Sequence, residues 1–267
     1  MNAERQESVS QTRNSELRRR TAGATGAVAK FLHTRFPRLK ANHISAAGSM
    51  GVLLGAAIAT ARQEEIKRNP SEALLPLAVI GVSSLLDAVD GQKARIEKIE
   101  NPNGQKVDVL NDRGQEIGTA FLRAAAAHRR GDRLGRNLAL ATAATSTLPS
   151  LARARVESLG HPTPEGGKLG YLGTRVGRAA TGTGATVFSE IRGIPVQSVL
   201  DGITTASNLI TAGSRAWTLF ENRNNPPVLS PQVQKESAER ARLLVGVAGA
   251  AGIAAGASAI IYSRLRR

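Results

Sequence analysis

Long runs without a charged residue alternate along this chain with short polar or arginine-rich breaks. Ala41 to Ala61 and Leu243 to Ser263 are the longest, uncharged from end to end. As helices each covers about 31 Å, the thickness of the hydrocarbon core of a bilayer. Between them lie shorter stretches, Ala73–Leu86, Ile117–Ala127, Asn137–Ala152, Ala179–Ser189 and Gly202–Ser214, built from Ala, Gly, Thr and Ser more than from Leu, Ile and Phe. Small residues let helices approach closely, as Gly51-x3-Gly55 and Gly252-x3-Gly256 would allow. The pattern predicts helices over about 43–61, 72–99, 105–128, 135–156, 171–190, 196–219 and 235–264.

The flanks complete the plan. Residues 1–20 are polar and end in Arg18-Arg19-Arg20, a composition that favours disorder. No apolar core follows the basic start, so no signal peptide is expected. Thr21 to Phe36, with Val28, Phe31, Leu32 and Phe36 among small residues, reads as an amphipathic helix lying at a membrane interface. Asn222 to Pro231, containing Pro226-Pro227, reads as a linker. The expected fold class is therefore all-α: an integral membrane bundle of about six transmembrane helices, with an N-terminal interfacial helix and an extra C-terminal helix. Its parts are residues 1–40, the helical domain 41–220, a linker 221–240 and the C-terminal hydrophobic helix 241–267. An Ala-rich soluble bundle is the competing reading. The mean hydropathy of −0.17 favours it, and the two long uncharged windows oppose it.

Composition narrows the chemistry. None of the 267 residues is Cys, which excludes disulfides, thiolate metal sites and cysteine catalysis. The formal charge of +15 calls for an anionic partner, yet aromatics are only 3% and no nucleic-acid-binding module is recognisable. Anionic lipid headgroups and phosphorylated substrates account for the charge, because the positive residues flank apolar segments. No nucleic acid is expected.

Between Asp87 and Asp112 the chain reads D-A-V-D-G-Q-K-A-R, then eight residues, then G-Q-K-V-D-V-L-N-D. The pattern is D-x2-D-G-x2-A-R-x8-G-x3-D-x3-D, and eight fixed positions match by chance with a probability on the order of 10⁻⁷. Asp87 and Asp90 are one helical turn apart, as are Asp108 and Asp112, so each pair shares a face. Gly91 and Ala94 leave room for a ligand against the backbone. The turn-rich Asn101-Pro102-Asn103-Gly104 should end one helix and reverse the chain into the next. Four adjacent carboxylates repel and raise one another's pKa, which divalent cations relieve. Oxygen-only ligands favour Mg²⁺ or Mn²⁺ over Zn²⁺.

This stretch resembles the signature of the CDP-alcohol phosphatidyltransferases, integral membrane enzymes of phospholipid synthesis, at every signature position. Asn42-His43-Ile44-Ser45 is similar to the N-x-L-T that begins the family's first membrane helix, with Ala41 where a Pro is usual. The resemblance covers about residues 38 to 215. It implies transfer of a phosphatidyl group from CDP-diacylglycerol to a polar alcohol, with release of CMP. It also implies two metal ions on Asp87, Asp90, Asp108 and Asp112, with Asp112 as the base that takes the acceptor's proton. Asp87, Gly91, Ala94, Arg95 and Gly104 would then bind the cytidine diphosphate. Family precedent further implies a homodimer in the cell membrane, multi-pass, with the active site facing the cytosol. Counting positive charges gives no orientation of its own, since four arginines fall in His128–Arg136, on the side away from the carboxylates.

The acceptor must be read further along. Leu151-Ala152-Arg153-Ala154-Arg155-Val156-Glu157 resembles the S-Y-x-x-A-R-A-E stretch of the branch making phosphatidylinositol phosphate, with Arg155 at the matching arginine. Gly173-Thr174-Arg175-Val176-Gly177-Arg178 resembles that branch's E-R-x-x-R, with Thr174 in place of Glu. Arg155, Arg175 and Arg178 are the implied acceptor-binding residues, and an inositol-phosphate-like acceptor follows. Arg175 and Arg178 share a helix face and suit a phosphate fork, or a membrane-surface anchor. Gly167-Lys168 resembles a feature of enzymes that use glycerol 3-phosphate, so a phosphatidylglycerophosphate synthase is the alternative. An intramembrane prenyltransferase and a non-catalytic membrane protein are the rivals of another class. Asp-rich prenyltransferase motifs lack G-x2-A-R after the first Asp pair.

Overall fold

A computed structural model describes residues 23, 25–97, 102–163 and 196–264. Among these residues every regular element is helical: α1 (residues 25–35), α2 (Ala41–Ala61), α3 (Gln63–Arg68), a 3₁₀ turn (Pro70–Ala73), α4 (Leu74–Glu97), α5 (Pro102–Arg129), α6 (Arg133–Thr145), α7 (Leu148–Ser158), α8 (Val196–Glu221) and α9 (Pro231–Arg264). The helix expected over 171–190 lies outside the described residues.

Local chemistry explains where the observed boundaries depart from the expected ones. Pro102, Asn103 and Gly104 form the first turn of α5 rather than a reverse turn. Proline suits that position, where its missing N–H is not needed. The single helix expected over 135–156 is broken, with α6 ending at Thr145 and α7 beginning at Leu148. Pro149 has no N–H for the carbonyl of Thr145, which interrupts the ladder. The expected linker 221–240 is shorter, because α9 begins at Pro231. It is also tied down: Gly160 O accepts from Val228 N at 2.8 Å and Leu229 N at 2.9 Å. Gly160 itself sits at φ +88°, where a side chain is strained.

Among the described residues three helical stretches are long and apolar enough to cross a membrane: Ala41–Ala61, Pro70–Ala94 and Pro231–Tyr262. α6 and α7 have only 13 and 11 residues, about 20 Å or less each. α5 and α8 have the length, but α5 carries Asp108, Asp112, Arg113, Glu116 and Arg123 and α8 carries Asp201 and Arg215.

The chain divides into two compact units, Met1–Val52 with Val79–Asn111, and Leu53–Ala78 with Asp112–Arg267. In the first, Ala29 of α1, Ile44 of α2 and Val89 of α4 form the core, joined by Leu32, Leu39, Leu86 and Ile96. α1 leaves Val28 and Phe31 exposed, and Phe36 just after it is exposed too. Gly51 meets α4 so closely that a Cβ there would overlap the Ser83 hydroxyl, as its small size led one to expect. Asn111 Nδ2 donates to Ser45 Oγ at 3.2 Å.

The second unit has an apolar cluster of Ala124, Ala139, Leu140 and Ala255, with Phe121, Ala144 and Ala259 packed on it. A smaller one joins Ala59, Ile66 and Ala73. α9 lies along α7 and α6, and its Tyr262 ring stacks on His128 at 4.3 Å. Gly252 and Gly256 do not mediate a close approach here, since a Cβ at either would meet nothing within 4 Å. α8 packs on α6 and α7 with its polar side inward. Gln197, Ser198, Asp201, Ser207, Asn208, Thr211 and Arg215 are buried, while Val199, Ile203, Ile210, Trp217 and Phe220 are exposed.

Candidate functional site

α4 carries Asp87, Asp90, Gly91, Ala94 and Arg95 over its last turns, and α5 carries Gly104 in its first turn and then Asp108 and Asp112. Helical periodicity puts the members of each Asp pair on one face. The residues from Asp87 to Asp108 belong to the first unit, and Asp112 to the second. The side chains of Asp87, Arg95 and Asp108 lie outside the described residues. Asp90 and Asp112 are half-buried. Gly91 is exposed, and among the described residues nothing lies within 4 Å of where its Cβ would stand. Ala94 is half-buried.

Among the described residues no three metal-ligating side chains cluster, a set that omits the side chains of Asp87 and Asp108. The donor chemistry nonetheless fits a hard divalent cation. Carboxylates at helical spacing offer oxygen ligands on two successive helices, and the chain has no thiolate to draw a softer metal.

One cation beside this stretch escaped the sequence pattern. Lys93 is wholly buried, and its Nζ lies 2.8 Å from Glu97 Oε1, one turn further along α4. The contact is an ion pair rather than an aligned hydrogen bond. His33 Nδ1 of α1 stands 3.9 Å from the same oxygen, so Glu97 joins α1 to the helix that carries Asp87 and Asp90. The i,i+4 spacing of Lys93 and Glu97 was the available signal; nothing local marked the pair as buried.

The arginines expected to bind an acceptor are only partly placed. Arg155 lies exposed in the last turn of α7; Arg175 and Arg178 lie outside the described residues. Arg153, two positions before Arg155, donates from Nε to Glu157 Oε1 at 2.7 Å. Glu157 also accepts from Thr163 Oγ1 at 3.1 Å and from Ser237 Oγ at 3.4 Å, with Arg240 Nη2 at 3.9 Å. The glutamate of the acceptor-like stretch therefore anchors α9.

Three further arginines were not singled out by the sequence. Arg123 grips Asp201 with Nη2 and Nε on Oδ1 at 2.8 and 3.0 Å. Arg113, next to Asp112, donates from Nη1 to Ser146 O at 2.7 Å and to the Glu116 carboxylate. Arg215 donates from Nη1 to Pro149 O at 2.7 Å. Each satisfies a distant partner, and an unremarkable arginine in a basic chain gives no local sign of that. Outside the long helices, the hydrogen bond from Lys67 holds the Glu64 carboxyl below the usual range.

No protein-family model matches this chain, and no curated protein matches it.

Proposed function

We propose that this protein is a CDP-alcohol phosphatidyltransferase, moving a phosphatidyl group from CDP-diacylglycerol to a polar alcohol and releasing CMP. The observation that carries the proposal is the complete D-x2-D-G-x2-A-R-x8-G-x3-D-x3-D pattern, set on the successive helices α4 and α5. Asp87, Asp90, Asp108 and Asp112 hold two Mg²⁺ or Mn²⁺ ions. When bound, these ions neutralise the diphosphate charge.

The remaining steps belong to the chain itself. Gly91 and Ala94 keep the backbone open to cytidine, and Arg95 pairs with a phosphate. Asp112 takes the proton as the acceptor oxygen bonds to phosphorus, and the bond to CMP breaks with its electron pair leaving on CMP. Arg155, Arg175 and Arg178 receive a phosphorylated acceptor, inositol phosphate before glycerol 3-phosphate. The protein works as a multi-pass homodimer in the cell membrane, with about six spans, α1 at the interface and the site facing the cytosol. The inverted burial of α8, polar within and apolar without, supports a lipid-facing bundle.

Membranes containing the protein, given CDP-diacylglycerol, Mg²⁺ and a panel of alcohols, should release CMP with one or two of them only, and chelation should stop it. Asp112→Asn should abolish that release while Mg²⁺-dependent binding of CDP-diacylglycerol persists, because the amide keeps the shape and cannot take a proton. Near-normal CMP release by this variant would remove Asp112 as the base. No CMP with any alcohol would remove the activity.

A further inference from the structure

We propose that the second unit contains a buried oxyanion site, suited to a phosphate group, where α5 and α8 meet the break between α6 and α7. Its donors are Arg113, Thr147 and Thr211, with Arg215 alongside. The inference does not depend on the transfer reaction, since it concerns binding alone.

The break is where these residues converge. Arg113 reaches Ser146 O from α5, and Arg215 reaches Pro149 O from α8. Asn208 Nδ2, on the same face of α8, lies 3.4 Å from Thr145 Oγ1. Thr211 falls between Asn208 and Arg215 on that face, which sets it opposite the segment holding Thr147. Thr147 is 0% exposed, Thr211 2% and Arg113 6%.

Their donors are left over. A helical threonine ordinarily returns its hydroxyl to the carbonyl four residues back. Thr34, Thr119, Thr142, Thr145 and Thr218 all do so here. Thr147 Oγ1 and Thr211 Oγ1 do not, and among the described residues neither has a hydrogen-bond partner. Thr147 stands at the N-cap position of α7 without making a capping bond, and Ser146 Oγ already uses the Ala143 carbonyl. Arg113 Nε is likewise unmatched. The nearby carbonyls Ser146 O and Pro149 O are engaged by the arginine Nη1 atoms. Capping of the helix break explains those Nη1 bonds but leaves two buried hydroxyls and one buried guanidinium N–H unmatched. Buried donors without acceptors are costly, and a group rich in acceptors with negative charge answers all three. A phosphate meets that description, with the guanidinium supplying charge.

The test uses the full chain purified in detergent, without Mg²⁺ or CDP-diacylglycerol. Thermal unfolding is followed against three probes: inorganic phosphate, glycerol 3-phosphate, and phosphatidic acid in mixed micelles, each with chloride at matched ionic strength as control. At least one should raise the melting temperature in a saturable way, and the tightest identifies a free, a soluble-ester or a lipid phosphate as the source. Thr147→Val and Thr211→Val should each weaken that probe at least about tenfold, whereas Thr211→Ser, which keeps the hydroxyl, should bind like the wild type. Without probe, the valine variants should melt at or above the wild-type temperature, as expected when a buried hydroxyl without a partner is removed. No probe-specific shift in the wild type would overturn the proposal, since water alone would then occupy the donors. Unchanged probe affinity in both valine variants would overturn it equally.

Discussion

α8 and α9 are both long helices of the second unit, and they bury opposite chemistries. α9 turns Ala241, Leu244, Ala251 and Ala255 inward and leaves Val245, Ile253, Ile260 and Ile261 outside, so beyond its polar first turns it is apolar on both sides. α8 turns Asp201, Asn208, Thr211 and Arg215 inward and leaves only its apolar side outside. Averaged along the chain, α9 stands out as a stretch able to cross a membrane and α8 does not. The outward faces nevertheless resemble each other. An average over a whole helix adds the face that meets the surroundings to the face that meets protein, and only the first of these reports on the surroundings.

The two helices should therefore fail in different ways. The largest effect is expected in α8. Asp201→Ala leaves the Arg123 guanidinium, 16% exposed at its side chain, without its carboxylate, at a cost of about 3–5 kcal/mol. Unfolding of the purified protein should show it, and replacing both partners (Arg123→Met with Asp201→Leu) should recover most of the loss. If the double variant is no better than the single one, the pair does not hold α8 as described.

α9 should respond to volume instead. Leu244 is 2% exposed, and Leu244→Ala should cost about 2–4 kcal/mol through lost burial and a cavity. A conservative Leu244→Met should keep most of the stability, a tolerance that the Arg123–Asp201 pair would not show.

A smaller effect is expected where α9 is pinned by charge. Glu157→Gln weakens the contacts to Arg153 and Arg240 and should cost about 1–3 kcal/mol. Limited proteolysis near Val228 should become faster if the same contacts hold the segment before α9. Unchanged cleavage would mean that the bonds to Gly160 O suffice.

The smallest effect lies outside both helices. The Glu64 carboxyl is held low by Lys67, so the favourable interaction exists above the unfolded pKa and is lost as pH falls through the folded one. The group is fully exposed, and Glu64→Gln should leave the melting temperature unchanged at neutral pH. A clear shift would show that the Glu64–Lys67 contact supports the packing of α3 in the second unit.

Much of the helical layout was legible before any packing was known. The uncharged run Ala41–Ala61 became α2 with its end unchanged, and the runs around α4, α5, α8 and α9 became helices within a few residues. Apolar runs of helical length need no distant partner to form helix. The break at Pro149 was equally local, although the apolar run 137–152 concealed it. The Asp pairs were legible as pairs because three and four residues are fixed angular steps on a helix. Arg113 and Arg123 were not, since each guanidinium meets a distant partner chosen by packing, and for the local pair Lys93–Glu97 only its burial was hidden.

The sequence by itself thus determined that the described chain is helical, where the two long uncharged runs Ala41–Ala61 and Leu243–Ser263 lie, and that carboxylates recur at helical spacing on two successive helices. Those properties follow from local backbone geometry and local hydropathy. Only the tertiary structure decided that α8 faces its polar side inward, that Glu157 holds α9, and that Arg113 and Arg215 meet the broken helix from two directions. Such choices depend on which faces come to lie together, and a polar residue's partner is set by which groups are buried beside it.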